Sequence, residues 1–281
     1  MTRQRLQLPQ VTLCCVDTRS PAEAVHALRQ SMRQIDFGRV LYLGPARAGA
    51  MGLELEGIEL VAIDDITSIE AYSRFMLHGL GPYIETSHVL VVQWDGFVTH
   101  PERWQDRFLD CDYIGPPWYY KRRAAAVGNG GFSLRSRRLI DALAQLPYDG
   151  SEPEDRVICV HWREQLEREH GIRIASVELG AEFGIEYGPW RPAFGFHGLH
   201  NFAHEMSAQE LQDWLQGADD GLILSKHGRQ LVKTLMGSGQ SAQALALLRR
   251  RSRRLGWTGD QLRLYLRVRA QQLRSVLSAR A

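Results

Sequence analysis

HVLVVQWDGF (88–97) is the stretch that decides the fold. Its first half is almost wholly apolar and rich in Val, so it reads as a strand buried on both faces, as in the middle of a parallel sheet. Its second half ends in Asp95-Gly96, a turn signal that places a carboxylate just past the strand. Working outward from it, the preceding chain alternates strand and helix. VTLCCVD (11–17) is a first apolar run ending in Asp17, RVLYLG (39–44) a second and IELVAIDD (58–65) a third. Between the first two lies SPAEAVHALRQSMRQI (20–35), with Ser20 in N-cap position, Pro21 at the first helical position and Glu23 three residues after the cap. TSIEAYSRFMLHGL (67–80) places Ile69, Tyr72, Phe75, Met76 and Leu80 on one helical face. This alternation predicts an α/β domain with a mainly parallel sheet flanked by helices. Ligands in such sheets bind beyond the carboxyl ends of the strands, where Asp17 and Asp95 stand.

After residue 100 the pattern loosens. SRRLIDALAQL (136–146) and EPEDRVICVHWREQLEREH (152–170) read as helices, the latter stopped by Gly171, and RIASVE (173–178) as a strand. From 207 onward the chain reads as all helical, Ser207 and Glu210 forming a capping-box signature. Charge divides the same way. Residues 205–281 hold 13 Lys/Arg against 6 Asp/Glu, a net of +7, whereas the rest carries a net of −5. The expected division is therefore a domain over 1–204 and a basic helical region over 205–281.

Composition excludes several classes. With 44% hydrophobic and 23% charged residues the chain is neither disordered nor collagenous nor a simple coiled coil. Cys14, Cys15, Cys111 and Cys159 form no CxxC pair and read as free thiols of a reducing compartment. The opening residues have no apolar core of a secretory signal, and no apolar run reaches membrane-spanning length. The expectation is a soluble, cytoplasmic protein.

Five constellations bear chemistry. Asp95 is either a ligand for a hard divalent cation or a plain turn residue before Gly96. VGNGGFSLRS (127–136) surrounds Asn129 with Gly128, Gly130 and Gly131. It is either a loop that lets backbone approach a sugar or an ordinary turn before a helix. It is not a dinucleotide fingerprint, because no first strand precedes it, and no GK[ST] follows to make a Walker A loop. Glu152-Pro153-Glu154-Asp155 crowds three carboxylates at a helix start. They either complement the helix dipole or include a base that deprotonates a hydroxyl. In FGFHGLHNF (194–202), His197 is a core histidine or a partner of Asp95 at a metal, with His200 the spare candidate. In DYIGPPWYYKRR (112–123), Trp118, Tyr119 and Tyr120 beside Lys121, Arg122 and Arg123 form either an aromatic and basic lid or a surface loop.

Taken in chain order, QWDGF (93–97), DYIGPPW (112–118), VGNGGFSLRS (127–136), PED (153–155) and FGFHG (194–198) resemble a bacterial and fungal family of glycosyltransferase-like proteins grouped with the GT-A fold. The resemblance spans residues 9–204 and not the basic region. It implies a nucleotide-sugar site at the carboxyl edge of the sheet, most often for a UDP-sugar. Asp95 stands where such enzymes carry an Asp-x-Asp motif, but Gln93 and Phe97 flank it instead of a second carboxylate. By the same resemblance Asp95 and His197 would hold Mn²⁺ or Mg²⁺, and Asp155, beside Glu154, would be the base of an inverting transfer. Trp118, Asn129, Gly130 and Gly131 would shape the sugar pocket, Asp17 would contact base or ribose, and Arg74 would reach phosphate. The implied acceptor is a glycan, lipid-linked or protein hydroxyl.

The alternative is a catalytically inactive glycan-binding or scaffolding protein, which the missing second carboxylate favours; a nucleotidyltransferase is a weaker third. RRRSRR (249–254) with Arg263, Arg267 and Arg269 is either a solvated face or a peripheral contact for an anionic membrane. Nucleic acid is not expected, since aromatics are sparse there.

Overall fold

The computed structural model describes residues 4–120 and 123–278. The chain divides into two compact units, Met1–His197 and Gly198–Ala281. The first is mixed α/β. Strand β1 (Leu6–Val16), helix α1 (Pro21–Met32), β2 (Ile35–Gly44), β3 (Glu59–Ala62), α2 (Ile69–Arg74) and β4 (His88–Val92) follow the alternation expected from sequence. After them come β5 (Tyr113–Ile114), β6 (Pro117–Tyr120), β7 (Arg123–Val127), β8 (Phe132–Ser136), α3 (Arg137–Leu143), α4 (Glu154–Arg156), α5 (Arg163–His170), α6 (Val177–Phe183), β9 (Gly184–Ile185) and β10 (Gly195–Phe196). The main sheet runs β3-β2-β1-β4-β8-β5. β1 to β4 are mutually parallel, and β8 lies antiparallel between β4 and β5.

Period-two alternation sorts the central strands between two apolar layers. Leu13 and Cys15 of β1, Tyr42 of β2, and Leu90 and Val92 of β4 face the layer that contains Ala24, Val25 and Leu28 of α1. Cys14, Val16, Leu41, Leu43, Val89 and Val91 face the other, with Met76, Leu80, Ile84 and Ile140. The adjacent cysteines thus point to opposite faces, both buried and unbridged. Burial pushes the Cys14 thiol up to about 12, which leaves it inert as a nucleophile.

Several sequence expectations are corrected. The glycine run is followed by a strand, β8, and helix α3 starts only after it, because Phe132 and Leu134 are wanted in the sheet core. The long helix over 152–170 is broken. A π-turn at Val157–His161 closes on Trp162 N–H to Val157 carbonyl, 2.8 Å, before α5 begins, and Gly171 ends α5 at φ +63°. The helix over 67–80 also widens into a π-turn, Phe75–Gly79. Residues 173–178 give only a bridge from Ile174 to Tyr113 and then α6. The aromatic stretch expected as a lid or a surface loop forms a hairpin, β6–β7; Lys121 and Arg122 lie outside the described residues. Ser20 does not cap α1 through its side chain; Asp17 Oδ1 takes the amides of Arg19 (2.7 Å) and Ser20 (2.8 Å) instead.

The second unit is helical: α7 (Phe202–Glu205), α8 (Ala208–Gly217), α9 (Asp220–Leu224), α10 (Lys226–Gly237), α11 (Ser241–Leu255) and α12 (Gly259–Ser278). Ser207 and Glu210 make the expected capping box. Part of the basic run is engaged within this unit, while Arg249, Arg253 and Arg254 are exposed. Arg250 and Arg254 pair with Asp220 at 2.8 and 2.9 Å, and Arg251, 5% exposed, donates to the carbonyls of Ile223 and Ser225. Among the described residues no helix is long and apolar enough to cross a membrane.

Candidate functional site

Three pieces of backbone bring the site together. The first is the turn after β4. Gly96 N–H closes on the Gln93 carbonyl at 3.0 Å, so Gln93 and Asp95 leave the strand end on either side of Trp94. A Cβ at Gly96 would stand 2.7 Å from the Phe196 carbonyl oxygen, so only glycine lets this turn lie against the 194–197 segment.

The second is that segment. Phe194 and Phe196 are buried, and Phe196 meets Phe97 edge to face at 4.7 Å. Parallel pairing of Phe196 with Ile185 leaves the next residues, His197 and Glu186, side by side, and the His197 amide donates to the Ile185 carbonyl at 2.9 Å. Each aromatic contact contributes about 0.5–1.5 kcal/mol beyond burial, which fixes the strand that carries the imidazole.

The third is the 128–131 loop at the entry to β8. Asn129 Oδ1 accepts the amides of Gly131 (3.1 Å) and Phe132 (3.3 Å), which orients its Nδ2 toward His197 Nδ1 at 2.9 Å. A Cβ at Gly131 would stand 2.3 Å from His197 Nε2 and 2.8 Å from Gln93 Oε1. A Cβ at Gly130 would stand 2.3 Å from Glu154 Oε1 and 3.2 Å from Asp155 Cβ. Both glycines are therefore required by close approach.

His197 sits at the centre. Its Nε2 lies 3.3 Å from Asp95 Oδ1 and 3.2 Å from Gln93 Oε1, and its Nδ1 3.3 Å from Glu186 Oε1. Burial disfavours the imidazolium, but the Asp95 and Glu186 carboxylates more than offset it and hold the pKa of His197 well above its ordinary value. With a carboxylate at each ring nitrogen the imidazolium is favoured, and only loss of the Nε2 proton, with the Nδ1 proton kept toward Glu186, would make Nε2 a donor atom for a cation.

Asp155 joins the same loop from the other side. Its Oδ2 accepts the Gly130 amide at 3.2 Å and its Oδ1 the Arg156 amide at 2.8 Å. Burial, and then the charge of Glu154, raises its pKa above the ordinary carboxylate value. Glu154 itself turns inward. Its Oε1 meets Arg135 Nη2 at 2.9 Å, with 6% and 0% of the two side chains exposed. Arg135 also donates to Ser133 Oγ (3.0 Å) and the Gly130 carbonyl (3.3 Å), so the buried pair clamps the glycine loop from beneath.

Asp17 accepts the Arg19 and Ser20 amides in the turn before α1, and the pKa of its carboxyl is raised by burial, with the Asp95 charge among the smaller causes. Trp118 packs flat against the Gly128 backbone, where a Cβ would stand 2.1 Å from its ring. Arg74 is exposed, paired with Glu70 at 3.1 Å and stacked over Tyr148 at 5.3 Å, so it is held by its own surroundings. Asp95, His197, Asn129, Gly130, Gly131 and Asp155 thus form one connected group, with Glu154 one layer below. Two members escaped the sequence reading. Glu186 is carried by a strand of two residues, too short to show a period, and Arg135 sits in a segment read as loop and helix.

Among the described residues no group of three or more His, Cys, Asp or Glu is arranged to hold a metal ion. Asp95 Oδ1, His197 Nε2 and the Gln93 amide oxygen nevertheless converge, and carboxylate, amide oxygen and imidazole suit Mn²⁺, the first two Mg²⁺ also. The donors fit part of a coordination shell that substrate oxygens and water would complete.

No curated protein matches the chain by sequence. Among solved structures, an active-site mutant of LgtC is similar with a TM-score of 0.41 and 10% identity, over 75% of this chain and 98% of that one. Mannosyltransferase PcManGT from Pyrobaculum calidifontis, in complex with GDP-Man and Mn²⁺, is similar with a TM-score of 0.38 and 12% identity, over 97% and 89%. A family model described as protein of unknown function, DUF5672, matches residues 57–197, from just before β3 to the site imidazole. That span is half of the chain and includes every member of the connected group, and the protein belongs to this family.

Proposed function

We propose that the protein is a glycosyltransferase of the GT-A type that moves a sugar from a nucleoside-diphosphate donor to an acceptor hydroxyl. The observation that carries this reading is the joining, through one glycine loop, of two different chemistries. On one side stand Asp95, Gln93 and His197, a donor set for a diphosphate-bound cation. On the other stands Asp155, a carboxyl with a raised pKa at a helix start.

In this proposal Asp95, Gln93 and the deprotonated Nε2 of His197 would hold Mn²⁺ or Mg²⁺, with Nδ1–H donating to Glu186. The cation supplies charge neutralisation of the departing nucleoside diphosphate. Asp155 takes the proton of the acceptor hydroxyl as its oxygen attacks the sugar carbon. The bond from that carbon to the diphosphate oxygen breaks in the same step, inverting the configuration. Gly130 and Gly131 let the sugar lie close to backbone, Trp118 backs the loop, and Asp17 faces the nucleoside side of the cleft. A raised carboxyl pKa suits a base, since proton transfer is most effective when its pKa approaches the working pH.

A glycan-binding protein without catalysis is the second reading. It is favoured by the single carboxylate at the β4 turn, where Gln93 gives a neutral oxygen. The two separate on turnover. The full chain is incubated with UDP-, GDP- and CMP-sugars, Mn²⁺ and a panel of glycan and lipid-linked acceptors, and transferred sugar is measured. Transfer that Asp155→Asn lowers by about 10²-fold or more supports the enzyme. Glycan binding with no transfer from any donor supports the second reading.

A further inference from the structure

Helix α12 carries an apolar stripe that its own unit does not use. Gln261, Leu264 and Val268 face inward and are at most 5% exposed. An ordinary surface helix has one such stripe. On α12 a second runs along the opposite side, where Leu262 and Leu266, four residues apart, are 47% and 59% exposed. Leu255 and Trp257, at the corner entering the helix, are 46% and 54% exposed, and the Trp257 ring is held edge-on to Tyr265 at 5.2 Å.

The flanks of this stripe are basic. Arg263, Arg267 and Arg269 are exposed beside the leucines. The one acidic residue in the helix sequence, Asp260, is taken by Arg229 at 2.6 Å. We infer that this face of α12, with the Leu255–Trp257 corner, docks on an anionic lipid surface. The leucines and Trp257 enter the headgroup boundary, and Arg263, Arg267 and Arg269 meet lipid phosphates.

Charge decides the occupant. A second copy would set the same three arginines against each other, in a region where residues 205–281 hold 13 Lys/Arg and 6 Asp/Glu. An anionic bilayer satisfies both halves of the face, apolar interior for the leucines and negative headgroups for the arginines. The run at 249–254 contributes less, since Arg251 is buried and Arg250 and Arg254 are already paired with Asp220.

The test is flotation of the full chain with vesicles of mixed phosphatidylglycerol and phosphatidylcholine, and with phosphatidylcholine alone. Binding is expected to the anionic vesicles and to weaken with added salt. Leu262→Glu with Leu266→Glu should lower it by at least about tenfold, each leucine being worth roughly a factor of ten or more on burial. Arg263→Glu with Arg267→Glu should abolish the preference for anionic lipid. Circular dichroism and melting of both variants should match the parent, because the altered side chains face outward. Equal recovery with both vesicle types would overturn the inference, as would anionic binding that the leucine variant leaves intact. A dimer in sedimentation that this variant dissociates would also overturn it.

Discussion

Removal of the Glu154 carboxylate should destabilise the N-terminal unit more than any surface change. Arg135 has no exposed side-chain area, and its Nη1 has no hydrogen-bond partner. Its remaining acceptors are the neutral oxygens of Ser133 and Gly130. Glu154→Ala therefore leaves a buried cation without its counter-charge, which costs about 3–5 kcal/mol. At roughly 2–4 °C per kcal/mol for a domain of this size, the melting temperature of the unit should fall by about 6–20 °C. Calorimetry of the full chain, following the transition assigned to this unit, measures the fall. The companion double variant, Arg135→Met with Glu154→Leu, removes both charges and should recover most of it, since a buried ion pair contributes little over well-packed apolar groups. A fall below about 2 °C for the single variant, or a double variant no more stable than the single, would refute the clamp and its energetics.

Other outcomes follow from the same geometry. Gly131→Ala puts a methyl 2.3 Å from His197 Nε2, so it should displace the ring and weaken nucleoside-diphosphate binding at least about tenfold, the unit remaining folded; calorimetric titration reads this. Turnover should rise with pH through the elevated pKa of Asp155, because only its ionised form accepts the proton. The acid limb should lie above the ordinary carboxylate range and vanish in Asp155→Asn. Asp112 behaves in the opposite sense. Its carboxyl is buried, but hydrogen bonds from Arg138, Ser136 and the Arg173 amide hold its pKa below the ordinary 3.8. Its contribution to stability is thus complete above pH 3.8 and lost as pH falls below it, and Asp112→Asn should flatten that part of the acid unfolding curve.

The strands that build the sheet centre were legible because burial on both faces leaves an unmistakable apolar run. Val89–Val92 are fully buried, and the period-two split of β1 follows from its two apolar layers. The antiparallel partner of β4 was not legible. FSLRS (132–136) carries a polar residue at every second position, yet Ser133 and Arg135 are fully buried. Arg135 is tolerated there only because Glu154, 19 residues later, neutralises it, a condition no local pattern can express. The site followed the same divide. Asp95 and His197 were nameable from their settings, after a strand and between aromatics and glycines. Their juxtaposition depends on β9 and β10, two residues each, whose pairing is a tertiary fact. Glu186 stayed invisible for that reason. Gln93 looked like a lost carboxylate from its neighbours alone, but its amide oxygen faces the imidazole while its Nε2 donates to Tyr72 Oη at 2.9 Å.

The most direct measurement is calorimetric titration of the full chain with UDP and GDP, with and without Mn²⁺, on the parent and on Asp95→Asn. Binding of at least one nucleoside diphosphate that needs the cation and disappears with the Asp95 carboxylate is the expected result. Failure of both nucleotides to bind with Mn²⁺ present, or binding that Asp95→Asn leaves unchanged, would contradict a diphosphate site at the end of β4.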